Sequence, residues 1–116
     1  MPKRRALLIG VPIYHSDAIH DLLFISDDVK KLQEALESSG YHVTPIGLSE
    51  KASRSIIRGE INRFCTKADK DEDLLLFFSG HGLHYNGYDY IVPYDAAIDD
   101  NNIEEYLLRG HNLEFQ

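Results

Sequence analysis

Short apolar runs alternate along this chain with stretches of helical spacing. Ala6-Leu7-Leu8-Ile9-Gly10-Val11 is the first run, ended by Gly10 and Pro12. No polar position interrupts it, so it reads as a strand buried on both faces. Ser26 is the expected N-cap of the next segment, with Asp27 and Asp28 in a first turn where negative charge suits the helix dipole. Val29, Leu32 and Leu36 then fall on one face, and Gly40 closes the helix as its C′ residue. Tyr41-His42-Val43-Thr44-Pro45-Ile46 comes next as a strand that Pro45 directs to a sheet edge. Ser53 caps a second helix whose apolar stripe, Ile57, Ile61, Phe64 and Ala68, is spaced by four, three and four. The charged run from Asp69 to Asp73 reads as a solvated turn.

The most informative stretch comes next. Leu74-Leu75-Leu76-Phe77-Phe78 runs straight into Ser79-Gly80-His81-Gly82. Five apolar residues in a row suit a buried strand and are too few for a typical helix, so His81 is carried at a strand tip. Gly87 to Pro93 reads as a short extended piece with Tyr88, Tyr90 and Val92 on one side. Ile103, Tyr106 and Leu107 share the face of a last helix, begun near Asn101 or Asn102, with Arg109 late and Gly110 as its stop.

Strand, helix, strand, helix, strand is the order of an α/β fold with a mostly parallel sheet flanked by helices. Right-handed crossovers leave few topologies, and the expected sheet order is second strand, first strand, His81 strand. Ligands in such sheets bind beyond the carboxyl ends of the strands, which makes His81 the leading candidate for chemistry. At 116 residues the chain is expected to be one domain, or a piece of one, spanning residues 1–116.

Composition narrows the function classes. A hydrophobic content of 43% and a charged content of 27% are those of a folding globular chain. The net charge of −7 argues against nucleic acid as a partner, since phosphate neutralisation needs clustered cations. Lys3-Arg4-Arg5 is the one basic cluster and reads as a solvated end before the first strand. Cys65 is the sole cysteine, which excludes an internal disulfide. No apolar run is long enough for a membrane span or a signal-peptide core, so a cytoplasmic, reducing setting is the default expectation.

Taken in order, Ala6 to Val11, the Asp27-Asp28 helix start, Gly40-Tyr41-His42-Val43, Asp73 to Gly82, and Tyr88-Asp89-Tyr90-Ile91-Val92-Pro93-Tyr94-Asp95-Ala96 resemble the caspase and metacaspase-like cysteine peptidases. The bacterial and metacaspase branch is the most similar, over about residues 5 to 109, and the pairing of Ser-Gly-His-Gly with Val-Pro-x-Asp-Ala carries the specificity of the match. The resemblance implies a three-layer, doubly wound sheet. It also implies that His81 is the general acid/base partner of a cysteine and that the Gly82 backbone N–H helps form the oxyanion hole. The residue types suit that chemistry. Imidazole titrates in the range needed to take a proton from a thiol and return one to a leaving amine, and glycine keeps a Cβ away from a developing oxyanion.

One member of the pair is missing. In caspases the nucleophile lies about 50 residues after the histidine, which corresponds here to about position 131, beyond Gln116. Cys65 precedes His81, lies on an expected helix and carries none of the family's cysteine signatures, so it reads as an ordinary small helix residue. The chain is therefore expected to be truncated before the cysteine-bearing strand, leaving Leu74–Phe78 as an apolar sheet edge with unpaired backbone groups. Self-association or a complementary segment should cover that edge.

Other features carry narrower expectations. The resemblance makes Asp17 and Asp21, in the loop after the first strand, candidate substrate-binding residues. Similar enzymes that cleave after Asp use arginine in the pocket, and those that cleave after Arg or Lys use acidic groups. No arginine occurs here between Arg5 and Arg54, which implies a preference for basic P1 side chains. His15 and His20 flank Asp17 and read as lining a solvated loop. No cofactor is required, although Asp95, Asp99 and Asp100 crowd one loop in which calcium could be held. His81 and His84 alone are too few for zinc. Two other readings compete with a peptidase: a non-catalytic caspase-like assembly or regulatory module, and a nucleotide-binding α/β domain. Against the last, no glycine-rich phosphate loop comes after Val11.

Overall fold

A computed structural model describes residues 3–85, 87–96 and 108–109. The expected last helix through residues 101–107, with Gly110 as its stop, and two of the three calcium candidates, Asp99 and Asp100, lie outside the described residues.

Strands β1 (Arg4–Gly10), β2 (His42–Ile46) and β3 (Asp73–Ser79) form a parallel sheet in the order β2-β1-β3. Ile9 lies between Ile46 and Phe78 in register, and Gly10 pairs with Ser79. The two apolar faces of β1 explain its central place. Leu7, Ile9 and Val11 pack with Ile57, Ile61 and Phe64 of helix α2 (Arg54–Thr66). Ala6 and Leu8 pack on the opposite face with Ile25 and Val29 of helix α1 (Ile25–Ser38). Leu8 has no exposed surface at all, as a central strand covered on both sides requires.

Pro45 sits on β2, which pairs only with β1 among the described residues, so the missing N–H weakens no second ladder. Ser53 caps α2 as expected, its side chain accepting from the Ile56 N–H. The buried stripe of α2 is Ile57, Ile61 and Phe64; Ala68 falls beyond the end of the helix. Gly40 takes φ 91° after α1, and the Tyr41 N–H reaches back to the Leu36 carbonyl, the closure expected of a C′ glycine.

Several local expectations are corrected. Ser26 is inside α1, not at its cap; the chain is already helical at Phe24, because Ile25 is pulled into the core one residue earlier. Arg5 is half-buried, not a solvated end: its Nε donates to Glu72 Oε2 at 2.7 Å, its Nη2 donates to the Phe64 carbonyl at 3.0 Å, and its guanidinium lies over the Phe64 ring. Glu72 correspondingly leaves the solvated turn, with a side chain only 5% exposed.

After β3 the chain makes a second, antiparallel sheet that periodicity did not disclose. Strand β4 (Gly82–Tyr85) pairs with β5 (Tyr88–Ile91), and β5 pairs with the two-residue strand β6 (Leu108–Arg109). Arg109, expected late in a helix, is thus opposite Tyr90, because the free side of β5 offers it a ladder. Tyr88 is exposed while Tyr90, Ile91, Val92 and Pro93 are buried, so the extended piece does not alternate as its sequence suggested. No described helix is long and apolar enough to cross a membrane.

Candidate active site at the carboxyl end of the sheet

His81 comes two residues after β3 and precedes β4, so it sits where the parallel sheet hands over to the hairpin. Its surroundings come mainly from the loop after β1. This loop is closed on itself by the Leu22 N–H donating to the Pro12 carbonyl at 2.7 Å and the Tyr14 N–H donating to Asp21 Oδ1 at 2.9 Å. The closure brings the His20 carbonyl to 2.8 Å from His81 Nε2. A carbonyl only accepts, so Nε2 carries the proton in the neutral ring and Nδ1 is left as its acceptor. No hydrogen bond from the described residues reaches Nδ1.

The main chain of His81 is held as firmly as its ring. Its N–H donates to the Tyr14 hydroxyl at 2.8 Å, and its carbonyl accepts the Val92 N–H at 3.1 Å. Tyr14 is buried, and its ring centroid lies 5.0 Å from that of His81. Burial pushes the Tyr14 phenol above its ordinary pKa; the hydrogen bond from His81 opposes the shift and the Asp21 carboxylate adds to it. The phenol is therefore neutral throughout the pH range in which imidazole works.

The segment after β5 ties the same region together. Val92 reaches the His81 carbonyl, the Tyr94 N–H donates to Ala52, the Tyr94 carbonyl accepts from the His15 N–H, and Asp95 Oδ1 accepts the Arg54 N–H at the start of α2. Within the Val-Pro-x-Asp-Ala motif Asp95 thus caps a helix. Among the described residues no group of three or more His, Cys, Asp or Glu side chains is placed to hold a metal ion. His84 Nδ1 is 2.8 Å from Asp89 Oδ1 on the exposed hairpin.

The other candidate residues are less enclosed. Asp17 is exposed. Asp21 is exposed too, with one oxygen committed to the Tyr14 N–H. Gly82 opens β4, and a Cβ there would meet only the Tyr90 carbonyl at 3.6 Å, an ordinary contact. Packing within the described residues therefore does not demand a glycine at 82. Two of the groups that hold His81 carry no clear mark in the sequence. The His20 carbonyl is a backbone atom and has no residue-type signature. Tyr14 could have been suspected as an amphipathic side chain just past a buried strand.

Cys65 lies at the wrong end of the sheet. It is on α2 next to Phe64, whose carbonyl binds Arg5, and Arg5 is opposite Leu74 at the amino end of β3. β3 is seven residues long, so its first and last residues are about 20 Å apart at roughly 3.3 Å per step, whereas a thiol must come within about 3 Å of its base. Burial also pushes the Cys65 thiol above its ordinary pKa, the Arg5 charge only partly offsetting this. A raised pKa means less thiolate at a given pH. Cys65 is accordingly expected to react with iodoacetamide more slowly at pH 7.5 than a free cysteine peptide does, and unchanged by His81→Ala. A fast, His81-dependent alkylation measured by mass spectrometry would place the nucleophile at Cys65 after all.

A family model described as the caspase domain matches residues 3–113. No curated protein matches the chain. Since the family match takes in both helices, the parallel sheet and the His81 turn, this protein belongs to the caspase domain family.

Proposed function

We propose that this chain is the histidine-bearing portion of a caspase/metacaspase-like cysteine endopeptidase, with His81 as the general acid/base for a cysteine supplied by a missing segment or a partner. The observation that supports the reading is the His81 Nε2 to His20 carbonyl bond at 2.8 Å, which makes Nε2 the donor and leaves Nδ1 as the acceptor nitrogen.

In this scheme the thiol gives its proton to Nδ1 as sulfur attacks the scissile carbonyl carbon, and the π electrons of that carbonyl move onto oxygen. The Gly82 N–H meets the resulting oxyanion. Collapse re-forms the carbonyl and breaks the C–N bond, while the imidazolium returns its proton to the leaving amine. Water then attacks the thioester, giving a proton to His81 as it does so. Release of the carboxylic acid and return of that proton to sulfur restore the thiol. The charges of Asp17 and Asp21 in the loop around His81 favour a basic P1 residue. A reducing, cytoplasmic setting keeps such a thiol available.

The edge of β3 supports the reading that further strands belong to this domain. Among the described residues β3 pairs only with β1. Leu75, Leu76, Phe77 and Phe78 are all left partly exposed, and Leu74 is 41% exposed, an unusual state for an all-apolar strand. In the proposed domain a cysteine-bearing strand lies on that edge, completing a three-layer, doubly wound sheet truncated in this chain.

Two measurements test the proposal. Mixing the chain with, or extending it by, a segment carrying an apolar strand that ends in cysteine should yield thiol-dependent cleavage of peptides. No cleavage from the folded, completed assembly would instead leave a non-catalytic caspase-like module. Sedimentation of the isolated chain should show self-association, relieved by the same segment. A stable monomer whose β3 amides exchange slowly without a partner would contradict the open edge.

A further inference from the structure

We propose that Tyr14 is a positioning residue for His81, its hydroxyl fixing the histidine main chain while the His20 carbonyl fixes the ring. This rests on the reading of His81 as an acid/base group and adds a residue to that site.

His81 lies outside both strand ladders, between the end of β3 and the start of β4. Its backbone N–H therefore has no sheet partner, and the atom that takes this bond is the Tyr14 Oη at 2.8 Å. The aromatic ring of Tyr14 packs tilted against the imidazole at 5.0 Å and leaves Tyr14 only 7% exposed. A side chain present only to fill that space could as well be phenylalanine. The hydroxyl is what distinguishes tyrosine here.

Three observations show that this contact is built into the fold. The Tyr14 N–H is itself anchored by Asp21 Oδ1, in the same closed loop that delivers the His20 carbonyl. A Cβ on Gly80 would lie 3.0 Å from the Tyr14 hydroxyl and 2.8 Å from Phe78 Cζ, so residue 80 must be small for the hydroxyl to reach the next amide. The buried phenol holds its proton at neutral pH, so it acts as a fixed neutral dipole and does not compete with His81 as a base. Ring and main chain of His81 are thus held from one loop, with Nδ1 the polar atom left over for chemistry.

The experiment uses the full 116-residue chain. Hydrogen exchange is resolved to single amides by fragmentation mass spectrometry, and imidazole nitrogens are read by NMR on histidine-labelled protein. In the unaltered chain the His81 amide should exchange at least about 10-fold more slowly than an unprotected amide, the effect of one ordinary hydrogen bond. Tyr14→Phe should remove that protection, and the His81 nitrogens should shift from a single Nε2–H tautomer toward a mixture, while the amides of Leu7 to Ile9 keep their protection. Gly80→Ala, which attacks the same contact from the other side, should reproduce both changes.

The proposal is overturned by a His81 amide that is unprotected in the unaltered chain. It is equally overturned by ring and amide signals that do not move in the variants, or by variants that lose protection uniformly through β1. Should Tyr14→Phe fail to fold, the unaltered chain and Gly80→Ala still decide. None of these readouts needs a substrate or a second cysteine, so a completed assembly without peptidase activity would refute the acid/base reading and leave the Tyr14 contact standing.

Discussion

Replacing His81 with alanine is expected to lower thiol-dependent peptide cleavage by the proposed peptidase, once supplied with its cysteine, about 10²- to 10⁴-fold, the range associated with loss of a positioned general acid/base. The fall should appear in kcat, with KM little changed, because in the proposed role the imidazole moves protons and binds no remote part of the substrate. Folding should survive. His81 is half-buried, lies outside the strand ladders and adds no aliphatic volume to either core cluster, so its removal costs mainly the ring contact with Tyr14 and the Nε2 bond to the His20 carbonyl. The bond from Nε2 to the His20 carbonyl is made by the ring alone, so glutamine at 81, which has no titrating nitrogen, should rescue none of the activity. Activity retained in His81→Ala at matched stability would remove the proposed acid/base role, whatever the fate of the oxyanion contact proposed at Gly82.

The largest loss of stability is expected from Gly47→Ala. Gly47 sits just past β2 where β1 ends, with φ 90°, and a Cβ there would lie 1.7 Å from the Gly10 carbonyl oxygen and 2.9 Å from the Gly10 carbonyl carbon. Neither atom is the end of a flexible side chain; both are backbone of the central strand. The left-handed backbone alone would cost about 1 kcal/mol for a residue with a Cβ, and relieving the overlap requires β1 and β2 to part near the site. A total of about 3 to 5 kcal/mol is expected, against the roughly 5 to 15 kcal/mol that holds a domain of this size together. Two comparisons separate the terms. Gly40 has φ 91° with open space around its Cβ position, so Gly40→Ala should show the conformational cost without the overlap. Gly59, inside α2, is also open, and Gly59→Ala should stabilise by roughly 0.5 to 1 kcal/mol through helix propensity. Urea unfolding of the three variants at matched concentration checks the ranking; equal midpoints for Gly47→Ala and Gly40→Ala would show that the carbonyl overlap is relieved at no cost.

Much of the fold is legible from spacing because the relevant forces are local or periodic. Ala6 to Val11 and Leu74 to Phe78 are uninterrupted apolar runs, and burial of such runs on both faces identifies them as parallel strands with helices above and below. Ser53, Gly40 and Pro45 act within a few residues of their own positions, and each is found doing what its chemistry requires. Where a longer reach was involved, the sequence misled. Arg5 and Glu72 look like solvated charges in their own neighbourhoods, and only the register of β1 beside β3 turns them into a half-buried ion pair. Leu108 and Arg109 end a helical pattern by sequence, yet form a strand because the free side of β5 is available to them.

The site divides in the same way. That a histidine follows the third strand between two glycines is a property of the residues themselves, and by itself it points to His81. Which nitrogen of that ring is free was decided by tertiary structure, through the carbonyl of residue 20 at Nε2, while the hydroxyl of residue 14 holds the His81 backbone N–H; both reach His81 across more than 60 positions. A backbone carbonyl is identical in every residue type, so no reading of the sequence could choose it; the fold of the loop after β1 did. The distance of Cys65 from His81 was likewise settled by the direction of β3, because strands running in parallel hold the segments at their amino ends a full strand length from those at their carboxyl ends.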